Sequence, residues 1–268
     1  MNKKVKLVVA DLDGTLIITG HSISDENARA INYLHEKGIL FGIASGRNLF
    51  DLHRLPAKWG FDSEFEMYIG MNGSELWDGI DNKQYDQFKL EPHVIEKIYH
   101  YVEPFNINPY VYYKDGMMVM KSDPAMEASA RRNDMVIYLA ETPEQLWQTE
   151  NAKVLCRLTE EQVLEVQEYF AKVNDPDFKL VQTQSTMLEF VHPEVSKAYA
   201  LKLFCQAHNI DLNEVIAFGD MENDNDMLEA CYGISMLNGS AETKAVSKEV
   251  TAKNCEDDGF ADWIFKNI

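Results

Sequence analysis

The chain of 268 residues has few cysteines, a shortage of positive charge and no long apolar run. Its four cysteines, Cys156, Cys205, Cys231 and Cys255, form no CxxC pair, which favours reduced thiols over a disulfide framework. No apolar stretch approaches the roughly 18 residues of a membrane span. With 25 basic and 44 acidic residues, the net charge of -19 argues against nucleic acid, because phosphate neutralisation needs clustered lysine and arginine. We therefore expect a cytoplasmic protein without nucleic-acid or membrane partners.

Two common metal-binding signatures are also missing. The seven histidines include no HExxH pair. A calcium loop of the EF-hand type needs glycine at its sixth position and glutamate at its twelfth. Loops counted from Asp11 or from Asp220 have neither residue. If these aspartates bind a cation, the site must be of another kind.

The first and last parts of the chain alternate between strand and helix patterns. "KLVVA" (6–10) is a continuous apolar run, typical of a strand that is covered on both faces. The helix predicted over 24–38 has Ser24 as its N-cap and Gly38 as its stop. This alternation predicts a parallel sheet with right-handed crossovers. Further strands are predicted over 39–45, 66–73, 215–220, 232–236 and 250–252, and further helices over 196–208, 224–231, 240–247 and 260–267.

The middle of the chain mixes amphipathic helices with strand-like runs, and "KDG" at 114–116 predicts a hairpin turn. Its predicted helices span 92–103 and 160–173, and its strand-like runs span 108–120 and 153–158. We therefore predict an α/β core formed by 1–83 and 190–268. An α+β domain, 84–189, is inserted into it.

Polar side chains follow several of the predicted core strands. Ligands of open parallel sheets bind beyond the carboxyl ends of the strands, so residues there are expected to meet. Carboxylates that converge on one spot repel each other unless a hard cation such as Mg²⁺ lies between them. Taken singly, each of these residues is also a common turn or helix-cap residue. The residues are Asp11 and Asp13, then Ser45, Gly46 and Arg47, and finally Asp220, Asn223 and Asp224.

In combination and in order, four motifs resemble those of the haloacid dehalogenase (HAD) superfamily of phosphotransferases. They are "DLDGT" (11–15), "ASGR" (44–47), "SKAYAL" (196–201) and "GDMEND" (219–224). The long gap between the second and third motifs is similar to that of HAD proteins with a C2 (IIB-like) cap. The segment "CYGISMLNGSAETKAVSKEVT" (231–251) resembles the Cof-type branch. The resemblance implies a three-layer, Rossmann-like parallel-sheet core with the inserted α+β domain as a cap for substrate specificity.

The resemblance also implies a role for each motif residue. Asp11 is expected to attack phosphorus, giving an aspartyl phosphate, and Asp13 to act as general acid and then general base. Mg²⁺ is expected to be held by Asp11, the backbone carbonyl of Asp13, and Asp220. The expected phosphate-binding residues are Leu12, Ser45, Gly46, Lys197 and Asn223, and the expected supporting residues are Asp224, Thr15 and Arg47.

These roles predict a Mg²⁺-dependent phosphatase of small phosphorylated metabolites, with sugar phosphates as the broad expectation. One alternative is a phosphomutase or other phosphotransferase, which passes the phosphoryl group to a sugar hydroxyl. Another is a binding protein that keeps the metal and phosphate site without turnover. The core motifs contact only phosphate and metal, so they do not identify the leaving group. The residue after Lys197 is often glycine in Cof-type proteins, but here it is Ala198. "MNGS" (71–74) stands in place of the commoner NGA. Neither difference touches a catalytic position.

Overall fold

The computed structural model describes residues 4–133 and 135–268. They form two compact units. One unit comprises the described residues up to Gln87 together with Ser196–Ile268, and the other is Phe88–Val195. Each unit is built on its own sheet.

The described residues contain fourteen strands and ten α-helices, besides short 3₁₀ turns. The strands are β1 (Leu7–Asp11), β2 (Leu40–Ala44), β3 (Met67–Gly70), β4 (Glu75–Asp78), β5 (Lys83–Asp86), β6 (Pro109–Tyr113), β7 (Gly116–Val119), β8 (Val136–Leu139), β9 (Lys153–Arg157), β10 (Lys179–Gln184), β11 (Met187–Val191), β12 (Val215–Gly219), β13 (Tyr232–Ser235) and β14 (Glu249–Val250). The helices are α1 (Asp25–Glu36), α2 (Leu49–His53), α3 (Leu55–Lys58), α4 (Pro92–Val102), α5 (Pro124–Asn133), α6 (Glu160–Phe170), α7 (Lys197–Ala207), α8 (Asn225–Ala230), α9 (Ala241–Val246) and α10 (Gly259–Asn267).

The eight-stranded sheet of the first unit has the order β14-β13-β12-β1-β2-β3-β4-β5. From β14 to β3 neighbouring strands are parallel, whereas β4 and β5 continue the sheet in antiparallel pairing. The register places Asp11, the last residue of β1, beside Ala44 of β2. The carboxyl ends of the parallel strands therefore meet at one edge, where the predicted motif residues lie.

Helices cover both faces of this sheet. On one face, buried side chains of α1, α2 and α10 pack with those of the strands, for example Ile31, Leu52 and Phe260. On the other face, α7 and α8 contribute Leu201 and Met227, among others. The near-continuous apolar strands of the core fit this double burial. The predicted three-layer α/β core is confirmed.

The second unit is an α+β arrangement around a six-stranded sheet of order β10-β11-β9-β6-β7-β8. All its neighbouring strands are antiparallel except β7 and β8. Helices α4 and α6 pack on one face of the sheet, and α5 packs in a separate cluster with Tyr110 and Leu155. The predicted hairpin turn between β6 and β7 is confirmed.

Most local predictions for the first unit are confirmed, the last strand has other bounds, and α2, α3 and one hairpin were not predicted. The Ser24 hydroxyl accepts a hydrogen bond from the Asn27 N–H of α1, and Gly38 ends this helix with φ +69°. The last strand is Glu249–Val250 instead of 250–252. The hairpin of β4 and β5 was not predicted, because its short strands mix polar and apolar residues without a clear period.

Membrane insertion through a helix has no candidate in the described part of the chain. None of its helices combines the length and the apolar character that a membrane span needs.

Candidate active site

Asp11 is the last residue of β1 and leads into a tight loop. The N–H groups of Leu16 and Ile17 donate to the carbonyl of Leu12 at 3.0 and 2.9 Å, and these three apolar side chains are buried beneath the loop. Gly14 lies in the left-handed region with φ +94°. A Cβ atom there would come within 2.3 Å of Asp220 Oδ2. Glycine therefore lets the loop approach the carboxylate of Asp220, the residue that follows β12.

Lys197 joins two buried carboxylates at this edge of the sheet. Its Nζ donates to Asp11 Oδ1 and Asp224 Oδ1, both at 2.6 Å, and to the carbonyl of Ala44 at 3.0 Å. The side chain is fully buried, and three bonds use all the donors of an ammonium group. Lys197 thus contacts the predicted nucleophile itself. An ammonium group at this position favours the ionised form of Asp11.

Burial and charge oppose each other in this cluster. Burial raises the pKa of Asp11 well above its ordinary value; the positive charge of Lys197 acts in the opposite direction, and Asp224 and Asp220 add to the rise. Burial alone disfavours the Lys197 ammonium, but Asp11 and Asp224 outweigh it and raise the pKa of Lys197. The lysine is therefore charged throughout the physiological range.

Asp220 brings a third carboxylate to the same place. Its Oδ1 accepts a hydrogen bond from the buried Thr15 hydroxyl at 2.9 Å. Asp224 Oδ2 accepts from the backbone N–H groups of Asp220 and Met221 at 3.0 and 3.2 Å. Thr15 and Asp224 therefore fix Asp220, which directly follows β12.

The carboxylate oxygens of this cluster fit a hard divalent cation. One ligand atom each of Asp11, Asp220 and Asp224 lies within 4.8 Å of the others. Among the described residues, no protein donor reaches Asp11 Oδ2 or Asp220 Oδ2, whereas both oxygens of Asp224 accept hydrogen bonds. Two carboxylate oxygens are thus available to a cation that prefers oxygen ligands. Asp224 is occupied with orienting Lys197 and the Asp220 backbone.

Asp13 has a different partner. Arg47 Nε donates to Asp13 Oδ2 at 2.9 Å, and Arg47 Nη2 donates to Asp13 Oδ1 at 2.6 Å. This is the two-pronged pairing that a guanidinium makes with a carboxylate. Both side chains are partly exposed, unlike the buried Asp11. The two carboxylates of the opening motif are therefore held by two different cations.

The remaining predicted residues belong to the second and fourth motifs. Ser45 is buried and its hydroxyl accepts from the Arg47 N–H at 3.2 Å, and Gly46 follows it. Asn223 is exposed, and its Nδ2 donates to Asn72 Oδ1 at 3.3 Å. The same Asn72 oxygen lies 3.4 Å from the position that a Cβ at Gly46 would take. Asn72 therefore connects the two motifs.

Asn72 was not among the predicted site residues. It lies in "MNGS", with φ +57° beside Met71 at φ +50°, and its N–H donates to the Ser45 carbonyl at 3.0 Å. Asparagine tolerates this left-handed conformation better than most residues. The available signal was the Asn-Gly pair itself, which marks a turn but does not reveal that the turn reaches the second motif.

The metal-free protein should lose stability as Asp220 ionises. Burial, and then the charge of Asp224, raise the pKa of Asp220 from 3.8 to about 6. Between these pH values the folded state holds a proton that the unfolded chain has released, so the free energy of unfolding falls with rising pH. Asp220→Asn is expected to remove this loss, roughly 2–3 kcal/mol at pH 8. Urea unfolding at pH 4 and pH 8 without metal measures it.

Two comparisons control this prediction. Asp62→Asn changes an exposed aspartate and should leave the pH dependence unaltered. Adding Mg²⁺ at pH 8 should stabilise the natural sequence but not Asp220→Asn, because a bound cation replaces the proton on the carboxylate. If the free energy of unfolding of Asp220→Asn and of the natural sequence changed equally with pH, the raised pKa of Asp220 would be contradicted.

Comparisons with known proteins fit this geometry. Residues 8–264 match the family model of haloacid dehalogenase-like hydrolases. A 5-amino-6-(5-phospho-D-ribitylamino)uracil phosphatase of Bacillus subtilis is 27% identical over 94% of this chain and 92% of its own length. An endoribonuclease, YBEY, from chloroplasts of Arabidopsis thaliana is 26% identical over 98% of this chain, but the chain spans only 46% of that protein.

A solved structure of a haloacid dehalogenase-like hydrolase from Bacteroides thetaiotaomicron superposes with a TM-score of 0.88. It is 24% identical, and the match covers 99% of this chain and 100% of that one. The chain belongs to the haloacid dehalogenase-like hydrolase family, which confirms the resemblance of its four motifs. It is an enzyme of this hydrolase family, and its relatives include phosphatases.

Proposed function

We propose that the protein is a Mg²⁺-dependent phosphatase that hydrolyses small phosphorylated metabolites through an aspartyl phosphate on Asp11. The observation that carries the proposal is the buried contact of 2.6 Å between Lys197 Nζ and Asp11 Oδ1 at the end of β1. A nucleophilic carboxylate must be ionised, and burial opposes ionisation. The adjacent ammonium of Lys197 counteracts that effect.

In the first half of the reaction, an oxygen of Asp11 attacks phosphorus while the bond to the leaving oxygen breaks. Asp13 gives its proton to that oxygen. In the second half, water attacks the same phosphorus, Asp13 takes the water proton, and Asp11 leaves with its own oxygen. Arg47 contacts both oxygens of Asp13 and is proposed to orient this carboxyl group for the two proton transfers.

The residues around Asp11 supply charge and hydrogen bonds for the transferring group. Ser45, the Gly46 and Leu12 backbone and Asn223 are proposed to contact phosphate oxygens, and Lys197 to act through its charge. Asp11, Asp220 and the carbonyl of Asp13 are proposed to hold the cation. When bound, Mg²⁺ would neutralise the phosphate and the three neighbouring aspartates.

The unit Phe88–Val195 is proposed to be the cap that selects the leaving group. Sugar phosphates are the favoured substrate class. The Bacillus relative supports this choice, because its named substrate carries phosphate on a sugar-derived ribityl chain. The cysteines of the described residues are free thiols, which agrees with a cytoplasmic location. The alternative of phosphoryl transfer to a sugar hydroxyl uses the same first half-reaction, so only the acceptor distinguishes it.

A substrate panel tests the proposal. Sugar phosphates, phosphorylated cofactors and nucleotides are incubated with the protein, in Mg²⁺ or in EDTA, and inorganic phosphate is measured. Release that needs the metal, with the highest rates for sugar phosphates, is expected. Turnover that is unchanged in EDTA would contradict the metal assignment. Loss of substrate without phosphate release, with new phosphorylated sugars among the products, would instead favour the phosphotransferase.

Asp13→Asn should separate the two half-reactions. With p-nitrophenyl phosphate, whose leaving group needs little protonation, the first half should survive while water lacks its base. We expect a burst of nitrophenolate equal to the enzyme present, followed by turnover slowed roughly 10²–10⁴-fold. Rapid-quench kinetics measures both phases, with Asp62→Asn as the control. A variant that turns over at the natural rate would contradict the role of Asp13.

A further inference from the structure

The position of Lys197 depends on where helix α7 begins. Lys197 is the first residue of this helix, and its side chain runs, fully buried, to Asp11 and Asp224. A shift at the start of the helix would therefore move the ammonium relative to both carboxylates. Whatever fixes the first turn of α7 also fixes this contact.

One carboxylate oxygen binds the residues on both sides of Lys197. Asp226 Oδ2 accepts a hydrogen bond from the Ser196 hydroxyl. It also accepts from the N–H of Ala198 at 3.4 Å. The Ser196 oxygen in turn accepts from the N–H of Tyr199 at 3.1 Å. A negative charge here also complements the positive end of the α7 dipole.

Asp226 is itself fixed and lies two residues from Asp224. Its Oδ1 accepts from the N–H of Met227 at 2.7 Å, in the first turn of α8. Asp224 meanwhile holds the Lys197 ammonium at 2.6 Å. The short segment Asp224–Asp226 therefore makes two kinds of contact. Asp224 binds the ammonium group of Lys197, and Asp226 binds the first turn of α7.

Gly73 limits the start of α7 through a second contact. Its φ is +109°, and a Cβ atom at this position would lie 2.1 Å from the carbonyl oxygen of Ser196. The carbonyl of the N-cap residue is therefore packed directly against backbone. Because Asp226 binds the Ser196 hydroxyl, both the carbonyl and the side chain of Ser196 are restrained.

We infer that Asp226 is a positioning residue that holds the first turn of α7 so that Lys197 meets Asp11. This inference rests on the proposed phosphatase activity and names a residue that the four motifs do not include. Without Asp226, the Ser196 hydroxyl and the Ala198 N–H turn to water and the first turn loosens. Displacements of about 1 Å at a site can cost roughly 100-fold in rate.

The test compares Asp226→Ala, Asp226→Asn and Ser196→Ala by steady-state kinetics with p-nitrophenyl phosphate and Mg²⁺. Asp226→Ala should lower kcat roughly 10- to 100-fold with a smaller change in KM, because substrate contacts remain. Asp226→Asn keeps an acceptor oxygen and should recover most of the activity. The double variant of Asp226→Ala and Ser196→Ala should lose less than the sum of the two single losses, since both remove the contact between Ser196 and Asp226.

Ser24→Ala is the matched control, because Ser24 caps α1 in the same way, with its hydroxyl accepting at 3.1 Å. It should lower the melting temperature but leave kcat unchanged. Should Asp226→Ala fail to fold, Asp226→Asn and Ser196→Ala still decide. An active natural protein whose Asp226 and Ser196 variants keep kcat within twofold overturns the inference. A natural protein that releases no phosphate overturns the proposed function instead.

Discussion

Lys197→Ala is expected to abolish measurable phosphatase activity and to destabilise the fold by about 3–5 kcal/mol. The substitution leaves Asp11 and Asp224 buried without their shared cation, and Ala44 loses a donor to its carbonyl. Without the Lys197 ammonium, burial favours the protonated form of Asp11, so Asp11 loses its nucleophilic form. Breaking a buried pair by removing one partner is costly because the other charge stays behind.

Phosphate release and urea unfolding at pH 7.5 measure the two effects. Lys202→Ala is the control, because it removes an exposed lysine from the same helix and should change neither quantity by much. Mg²⁺ should recover part of the lost stability but not the activity, since a cation can neutralise the carboxylates without restoring the geometry of Lys197. Activity within tenfold of the natural protein would contradict the assigned role of the lysine.

Asp11→Asn is expected to lower the turnover rate by a factor of at least about 10⁴. Other covalent hydrolases lose rate on this order when their nucleophile is removed. The amide is almost the same shape as the carboxylate but does not attack phosphorus. The variant should nevertheless fold, with a melting temperature in metal-free buffer at pH 8 no lower than that of the natural protein. Burial raises the pKa of Asp11 well above its ordinary value, so its ionised form disfavours the folded state there.

Phosphate release and calorimetry in the same buffer test both halves of this expectation. Asp13→Asn serves as the contrast, because it should stop turnover after a burst while Asp11→Asn should show no burst. A burst from Asp11→Asn would assign the nucleophile to another residue. A large drop in its melting temperature would show that the ion pair with Lys197 outweighs the burial of the charge.

The sequence predicts which buried motif residues lie together at the edge of the sheet. Asp11 ends a parallel strand and Asp220 directly follows one, and the geometry of a parallel sheet brings such ends to one edge. The three-layer core follows from the same alternation of apolar strands and helices. Lys197 was assigned through its motif, and the structure adds that its partner is Asp11 itself. These features depend on patterns that lie within single elements or short motifs.

Contacts between distant loops were not predictable in this way. The fork between Arg47 and Asp13 depends on the exact rotation of two loops. Asn72 reaches Asn223 across 151 positions in the sequence. Asp226 resembles an ordinary residue of a helix first turn until α7 is placed beside α8. Tertiary packing decides such contacts, and a single sequence carries no signal for them.

The central claim is that Asp11 carries the phosphoryl group during turnover, and a trapped phosphoenzyme tests it most directly. Asp13→Asn is mixed with p-nitrophenyl phosphate and Mg²⁺ and quenched in acid within the burst. Peptide mapping by mass spectrometry then locates the added phosphoryl group. We predict that it lies on the peptide containing Asp11, and that borohydride converts this residue to homoserine. A phosphoryl group on another residue, or a burst without any phosphorylated peptide, would contradict the account.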